Sequence, residues 1–355
     1  MKNLYLFTLG FSLLATTAFP AKAALSSLYV FGDGLSATDD NIYPSPGYPD
    51  YFGLRWSNGQ VWVEVLAQLE GIPINYNNSY FEHNSSLTLA NVKSFTAPPN
   101  VANDLFIVWV CNADTFDAAS TVVSDNNQNP THLLNGFISA NIQSQANHLQ
   151  IITNLYAKGV RNLILPNAVD ISKIPAYNTG NIPIPGVLQA GCIDYNSRFV
   201  TTLNQAQGMC PSLKIYTPDY FTLLNNVLTN AAYYGLTNAK SGGLSIDALE
   251  DLYATAPVNL NGAGTNYIFW DPKNPTAKLH AVMANVAQQL ISPPVQVGNI
   301  TPFADSRQWD VVHYPVGAAG LGNAFTQLTL TNRTDRLQLA GSNTAPLLVI
   351  PTSRP

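Results

Sequence analysis

Six consecutive apolar residues, Leu105-Phe106-Ile107-Val108-Trp109-Val110, admit few structural solutions. A half-exposed strand would alternate apolar and polar residues, and six residues are less than two turns of helix at ~3.6 residues per turn. The run predicts a strand covered on both faces, as in a parallel sheet with helices above and below it. Leu28 to Phe31 has the same texture and runs into a tight turn, Gly32-Asp33-Gly34-Leu35-Ser36. Ile72 to Tyr76, Val160 to Pro166 and Leu213 to Tyr216 are shorter strand candidates. Helical spacing separates them. Val61, Val65, Leu66 and Leu69 mark a helix over Val63 to Glu70, and Ile142, Ala146, Leu149, Ile152 and Leu155 mark one over Asn141 to Ala157. Cys192 to Ala206 and Ala277 to Ile291 read as two more. Strands alternating with helices predict right-handed crossovers and an α/β fold. In such sheets ligands bind outside the carboxyl ends of the strands, where the turn at Asp33-Gly34 and the segment after Val110 both fall.

The two ends of the chain differ from this pattern. Lys2, the apolar run Leu4 to Ala15 and the Ala21-Lys22-Ala23 cleavage pattern predict a secretory leader over residues 1–23, hence a secreted or periplasmic protein. The apolar run is too short for a comfortable membrane span, so no transmembrane anchor is expected after cleavage. Residues 24–292 then form the main domain. Pro293-Pro294 breaks the helical texture, and residues 293–355 read as a small β module, with short strands at Val311-Val312, Phe325 to Thr331 and Arg336 to Leu339. Asn41 to Gly53, rich in Pro, Tyr and Gly, reads as an irregular loop.

Composition narrows the partners. Of the 355 residues only 10% are charged, against about 25% in ordinary soluble domains, and the net charge is −5. No basic run could follow a phosphate backbone, which excludes nucleic acid. Cys111, Cys192 and Cys210 lack metal-site spacing. A helix from Cys192 to Gln207 would hold Cys192 and Cys210 roughly 20 Å apart, so free thiols are expected. No cofactor is predicted.

Four segments carry a resemblance. Phe31-Gly32-Asp33-Gly34-Leu35 resembles the Phe-Gly-Asp-Ser-Leu motif of the GDSL, or SGNH, esterases and lipases. Trp56-Ser57-Asn58-Gly59-Gln60-Val61-Trp62 is similar to that family's next run. Trp109-Val110-Cys111-Asn112-Ala113-Asp114 resembles its Trp-x-Gly-x-Asn-Asp motif, and Asp271-Pro272-Lys273-Asn274-Pro275-Thr276 its Asp-x-x-His-Pro-Thr motif. The resemblance covers Leu28 to about Ile291. It implies a three-layer α/β/α sandwich with a flavodoxin-like parallel sheet, and acyl-transfer chemistry by Ser, His and Asp with an oxyanion hole.

Carried over residue by residue, the resemblance puts Gly34 at the nucleophile position, Asn274 at the base position and Asp271 at the surviving triad position. Glycine has no attacking atom, and an amide side chain does not titrate. Ser36 as a replacement nucleophile is weighed below its reading as a solvent or capping hydroxyl. The family's oxyanion glycine falls at Asn77-Asn78 and its oxyanion Asn at Ala113. Asn112, one place early, is a pocket candidate, although a loop Asn bonding its own backbone is the favoured reading. Asp33 and Asp114 belong to the motif frame. With Asp271 they could hold a cation, but turn capping by Asp33 and Asp114 is preferred, and no metal site is expected. His280 is read as packing or capping; His83, His132, His148 and His313 have no motif support.

The leading expectation is a secreted ester-hydrolase homologue that binds a ligand without turnover, the ligand being a small acyl ester, lipid or acylated carbohydrate. The alternatives are an atypical esterase or lipase acting on acyl or acetyl esters, and a surface or matrix interaction protein working through the C-terminal β module.

Overall fold

The computed structural model describes residues 25–39, 49–125, 129–178 and 184–292, together with two strands at 310–315 and 324–329. Strand β1 (Leu28–Gly32) enters a short 3-10 turn, Gly34–Ser36. Helix α1 (Trp62–Glu70), β2 (Ile74–Ser79) and α2 (Ser85–Ser94) follow. Next come β3 (Leu105–Trp109), α3 (Cys111–Ser124), α4 (Pro130–Ala157) and β4 (Asn162–Ile164). The chain continues through α5 (Ile184–Met209), β5 (Lys214–Tyr216) and α6 (Tyr220–Thr229). A minimal hairpin, β6 (Lys240–Ser241) with β7 (Leu244–Ser245), precedes α7 (Ala248–Tyr253) and α8 (Ala277–Ile291).

The expected parallel sheet is present. Its order is β2-β1-β3-β4-β5, with every neighbouring pair parallel. All five residues of β1 and of β3 are buried, as their unbroken apolar runs require. Side chains alternate across the sheet. On one face Tyr29 stacks on Phe106 at 4.8 Å, and Tyr29 and Phe31 meet Phe95 at the end of α2. On the other, Trp109 packs edge-on against Trp62 of α1 at 5.5 Å and against Tyr220 of α6 at 5.0 Å. Helices α2 to α5 pack together on the first face, and α8 packs on α1 on the second. The three layers of an α/β/α sandwich follow.

Local chemistry sets the ends of these elements. The Val61 N–H donates to Glu64 at 3.0 Å, starting α1, and Gly71 stops it in the left-handed region at φ 67°. Asn84 and Asn129 accept from the first N–H groups of α2 and α4. The expected strand Ile72–Tyr76 is displaced: the Ile72 N–H closes the α1 cap onto the Ala67 carbonyl, and the strand runs instead from Ile74 to Ser79. Helix α4 starts eleven residues before the expected Asn141, at an Asn-Pro cap the apolar spacing does not reveal. Helices α2, α3 and α6 were not expected at all.

Beyond Ser292, β8 (Asp310–Pro315) and β9 (Ala324–Thr329) pair antiparallel. They coincide with the expected strands at Val311-Val312 and Phe325 onward; Arg336 to Leu339 lies outside the described residues. So does the expected leader, residues 1–23. Among the described residues no helix is long and apolar enough to cross a membrane.

Candidate active site

The turn after β1 is built around two glycines. A Cβ on Gly32 would stand 2.6 Å from Ser36 Cβ and 2.7 Å from Ser79 Oγ, so only glycine fits there. The Asp33 N–H donates to the Trp109 carbonyl, which ties the turn to the end of β3, and Asp33 Oδ1 accepts from the Leu35 N–H at 3.0 Å. Its other oxygen has no partner among the described residues. Burial pushes the Asp33 carboxyl up to about 7, against the pull of the Leu35 and Ala113 N–H groups; the charge of Asp114 adds to the rise. Gly34 is buried, and a Cβ there would meet Trp56 Cδ1 at 3.2 Å and Phe81 Cδ2 at 3.6 Å. Ser36 is neither a solvent nor a capping hydroxyl. It is fully buried, and its Oγ accepts from the Trp62 indole N–H at 3.0 Å.

Asn77 and Asn78 stand within β2, opposite Val30 and Phe31. A turn follows at Tyr80 to His83, where Glu82 takes a left-handed φ of 62°. The Asn77 amide donates to the Ser36 carbonyl and to Thr38 Oγ1, and Asn78 accepts from Asn91. His83 is buried, with one ring nitrogen 2.9 Å from the Gly32 carbonyl and the other 2.9 Å from Asn91.

The Trp109–Asp114 segment is not a loop. It passes from β3 directly into the first turn of α3, and this changes the reach of its side chains. Asn112 does not bond its own backbone: its Oδ1 accepts from the Val169 N–H at 3.0 Å. Ala113 is buried. Asp114 does not cap a local turn. Its Oδ1 accepts from the Ser85 N–H at 2.8 Å, capping α2, while Oδ2 accepts from the Tyr195 hydroxyl at 2.9 Å and lies 3.4 Å from His148 Nε2. One carboxylate thus joins α2, α3, α4 and α5. Cys111, next to His148, is buried, and burial raises its thiol. Cys111, Cys192 and Cys210 are free thiols.

The turn before α8 gathers around Asp271. Its carboxylate accepts from the Tyr51 hydroxyl at 2.8 Å, from the Lys273 and Asn274 N–H groups at 2.8 Å each, and from the Asn274 amide at 2.8 and 3.0 Å. Thr276 then caps α8. Buried Asp247 caps α7 nearby, and burial pushes it up to about 6, with Asp271 adding to the rise. Tyr51 packs on Trp56 at 5.2 Å and Trp56 on Phe81 at 5.1 Å, so aromatic rings connect the Asp271 turn to Gly34. His280 lies in the core; its Nδ1 accepts from the Trp62 N–H, and burial pushes the ring down to about 3, which keeps it neutral. Asp33, Asp114 and Asp271 make no cation cluster: among the described residues no three His, Cys, Asp or Glu side chains are placed to hold a metal ion.

No family model matches the chain. Among curated proteins, the GDSL esterase/lipase At1g71691 of Arabidopsis thaliana is 22% identical over 315 residues, covering 74% of this chain and 81% of the relative. The GDSL esterase/lipase EXL3 of the same plant is 22% identical over 223 residues, covering 60% and 57%. The GDSL esterase/lipase At5g03810 is 23% identical over 141 residues, and there the match spans only 40% of the relative. This chain is similar in sequence to the GDSL esterases and lipases.

The extracellular lipase of Streptomyces rimosus matches with a TM-score of 0.44 at 12% identity, over 74% of this chain and 99% of that one. Phospholipase A1 from Streptomyces albidoflavus matches with a TM-score of 0.43 at 12% identity, over 76% and 98%. The site residues that the motifs do not assign are aromatic: Tyr51, Trp56 and Phe81. Trp56 is signalled by the motif run it opens; the only sequence signal for the other two is the density of Tyr and Pro in the loop before Trp56 and the Tyr80-Phe81 pair after β2.

Proposed function

We propose that this GDSL ester-hydrolase homologue is a secreted protein that holds a small acyl-bearing ligand without turning it over. The observation that supports the reading most directly is at position 34. The nucleophile position matched by the GDSL motif is a glycine, and the space a side chain would enter is bordered by Trp56 and Phe81. Asn274, at the base position, keeps its amide on both oxygens of Asp271 and has no proton to exchange near neutral pH. Ala113 offers no oxyanion donor from its side chain, and the Asn77 NH2 is committed to the Ser36 carbonyl and Thr38; Asn78 and Asn112 are held through their amide oxygens, and the buried Asn112 NH2 has no partner among the described residues. Ser36 is committed to Trp62.

The test is hydrolysis of aryl esters with acyl chains of several lengths. The purified protein is expected to stay at background. Turnover that survives Asp271→Ala but disappears in Ser36→Ala would overturn the reading. Gly34→Ser with Asn274→His is expected to show weak hydrolysis once Trp56 shifts by a few tenths of an ångström, and adding Ala113→Asn should raise it, since one oxyanion donor is worth about 10²- to 10³-fold. Either reversion alone should do nothing, because nucleophile and base act as a unit.

Residues 24–292 are proposed to fold without the β module at 293–355. A chain ending at Ser292 should unfold cooperatively on heating; a molten or insoluble product would show that the module completes the core.

A further inference from the structure

Five partly exposed aromatic rings form a band beside the candidate site, and they come from four separate segments. Tyr51 and Trp56 belong to the loop before α1, Phe81 follows β2, Phe116 lies on α3, and Tyr177 precedes α5. Tyr51, Trp56 and Phe81 touch in series, and Phe116 packs on Tyr177 at 5.9 Å. Lys273 bridges the two groups, its Nζ standing 5.6 Å from the centre of the Phe81 ring and 5.7 Å from that of Phe116.

Lys273 is the cation of this band. Cations are scarce in this chain, with 16 Lys and Arg against 21 Asp and Glu. Arg55 and Arg198 pair with carboxylates, while among the described residues no lysine does. Among the described residues Lys273 forms no ion pair, although Asp271 is only two positions away. The reason is visible: neutral donors from Tyr51 and Asn274, and two backbone N–H groups, already occupy the Asp271 oxygens. The ammonium is therefore held between two ring faces, which compensate a partly desolvated cation only weakly. A carboxylate would do more.

An apolar band interrupted by one uncompensated cation matches an amphiphile with one negative end. We infer that the band takes a fatty-acid carboxylate, with its acyl chain along the rings and its carboxylate on Lys273 Nζ; this rests on the ligand-binding reading above. A saccharide fits less well. The rings meet at 71° and 40° and so present no flat platform for a sugar face.

The test titrates the purified full-length protein with decanoate, 1-decanol and maltotriose at pH 8, read by tryptophan fluorescence and calorimetry. Decanoate is expected to bind about tenfold more tightly than decanol, the worth of one charge-assisted hydrogen bond. Lys273→Met should bring decanoate down to the decanol value, and Lys273→Arg should retain most of the preference, with circular dichroism confirming that both variants fold. Equal binding of the two decyl probes, or a preference that survives Lys273→Met, overturns the carboxylate inference and leaves ligand binding standing. Maltotriose binding without either decyl probe also overturns it, as does no binding by any probe. Hydrolysis of a decanoyl ester strikes the non-catalytic reading instead.

Discussion

Asp33 and Asp271 sit in the two turns of the candidate site and are buried to the same depth, 4% and 5% exposed. They differ in what reaches them. Asp33 takes the Leu35 N–H on one oxygen, while the other has no partner among the described residues, and burial drives the group up to about 7. Asp271 is also raised by burial, but Asn274, Lys273 and Tyr51 all donate to it and oppose the rise. The contrast teaches that burial by itself does not set the charge state of an acid; the number of donors aimed at the carboxylate does. The first turn carries a carboxyl with one oxygen left without a partner among the described residues, and the second a carboxyl used as a structural hub.

The largest effect should come from titrating the first acid. A carboxyl whose pKa is raised on folding binds its proton more tightly in the native state. Its stabilising effect is fully present below the unfolded value near 4 and is lost as pH rises to about 7. Asp33→Asn keeps the accepting oxygen and cannot ionise. Relative to the parent, the variant should gain on the order of 4 kcal/mol between pH 4 and pH 7, measured by urea unfolding across that range. A gap that stays constant with pH would end the comparison, because the Asp33 carboxyl would then not be raised on folding.

Asp271→Ala should act in the opposite direction. It strips the acceptor from Tyr51, from the Asn274 amide and from two backbone N–H groups, and is expected to cost about 3 kcal/mol at pH 7. A variant as stable as the parent would mean that water replaces the carboxylate and that this turn is no hub.

The glycines sharpen the difference within the first turn. Gly32→Ala forces a Cβ to 2.6 Å from Ser36 Cβ in the packed interior and should cost about 2 kcal/mol. Gly34→Ala meets only Trp56 at 3.2 Å, a partly exposed ring, and should cost less than about 1 kcal/mol. Equal losses in thermal unfolding would show that Trp56 is as rigid as the core, and the space at position 34 would then be closed to any ligand.

Sequence by itself determined the sheet. Continuous apolar runs at Leu28–Phe31 and Leu105–Val110 can be satisfied only under cover on both faces, and the spacing between runs dictates crossovers. It also determined the GDSL resemblance, since Phe31-Gly32-Asp33 and Asp271 to Thr276 are local patterns. Tertiary structure decided what the motif residues touch. Asn112, Asp114 and Ser36 were each given a local role, and each instead reaches across the fold, to Val169, to Ser85 with Tyr195, and to Trp62. Those partners lie between 26 and 81 positions away in the chain. Only tertiary packing brings such groups within about 3 Å, and an amide or carboxylate has no periodicity that announces its partner. The aromatic band was hidden for the same reason. Tyr51, Trp56, Phe81 and Phe116 are unremarkable one by one, and the sheet and its loops must form before they meet around Lys273.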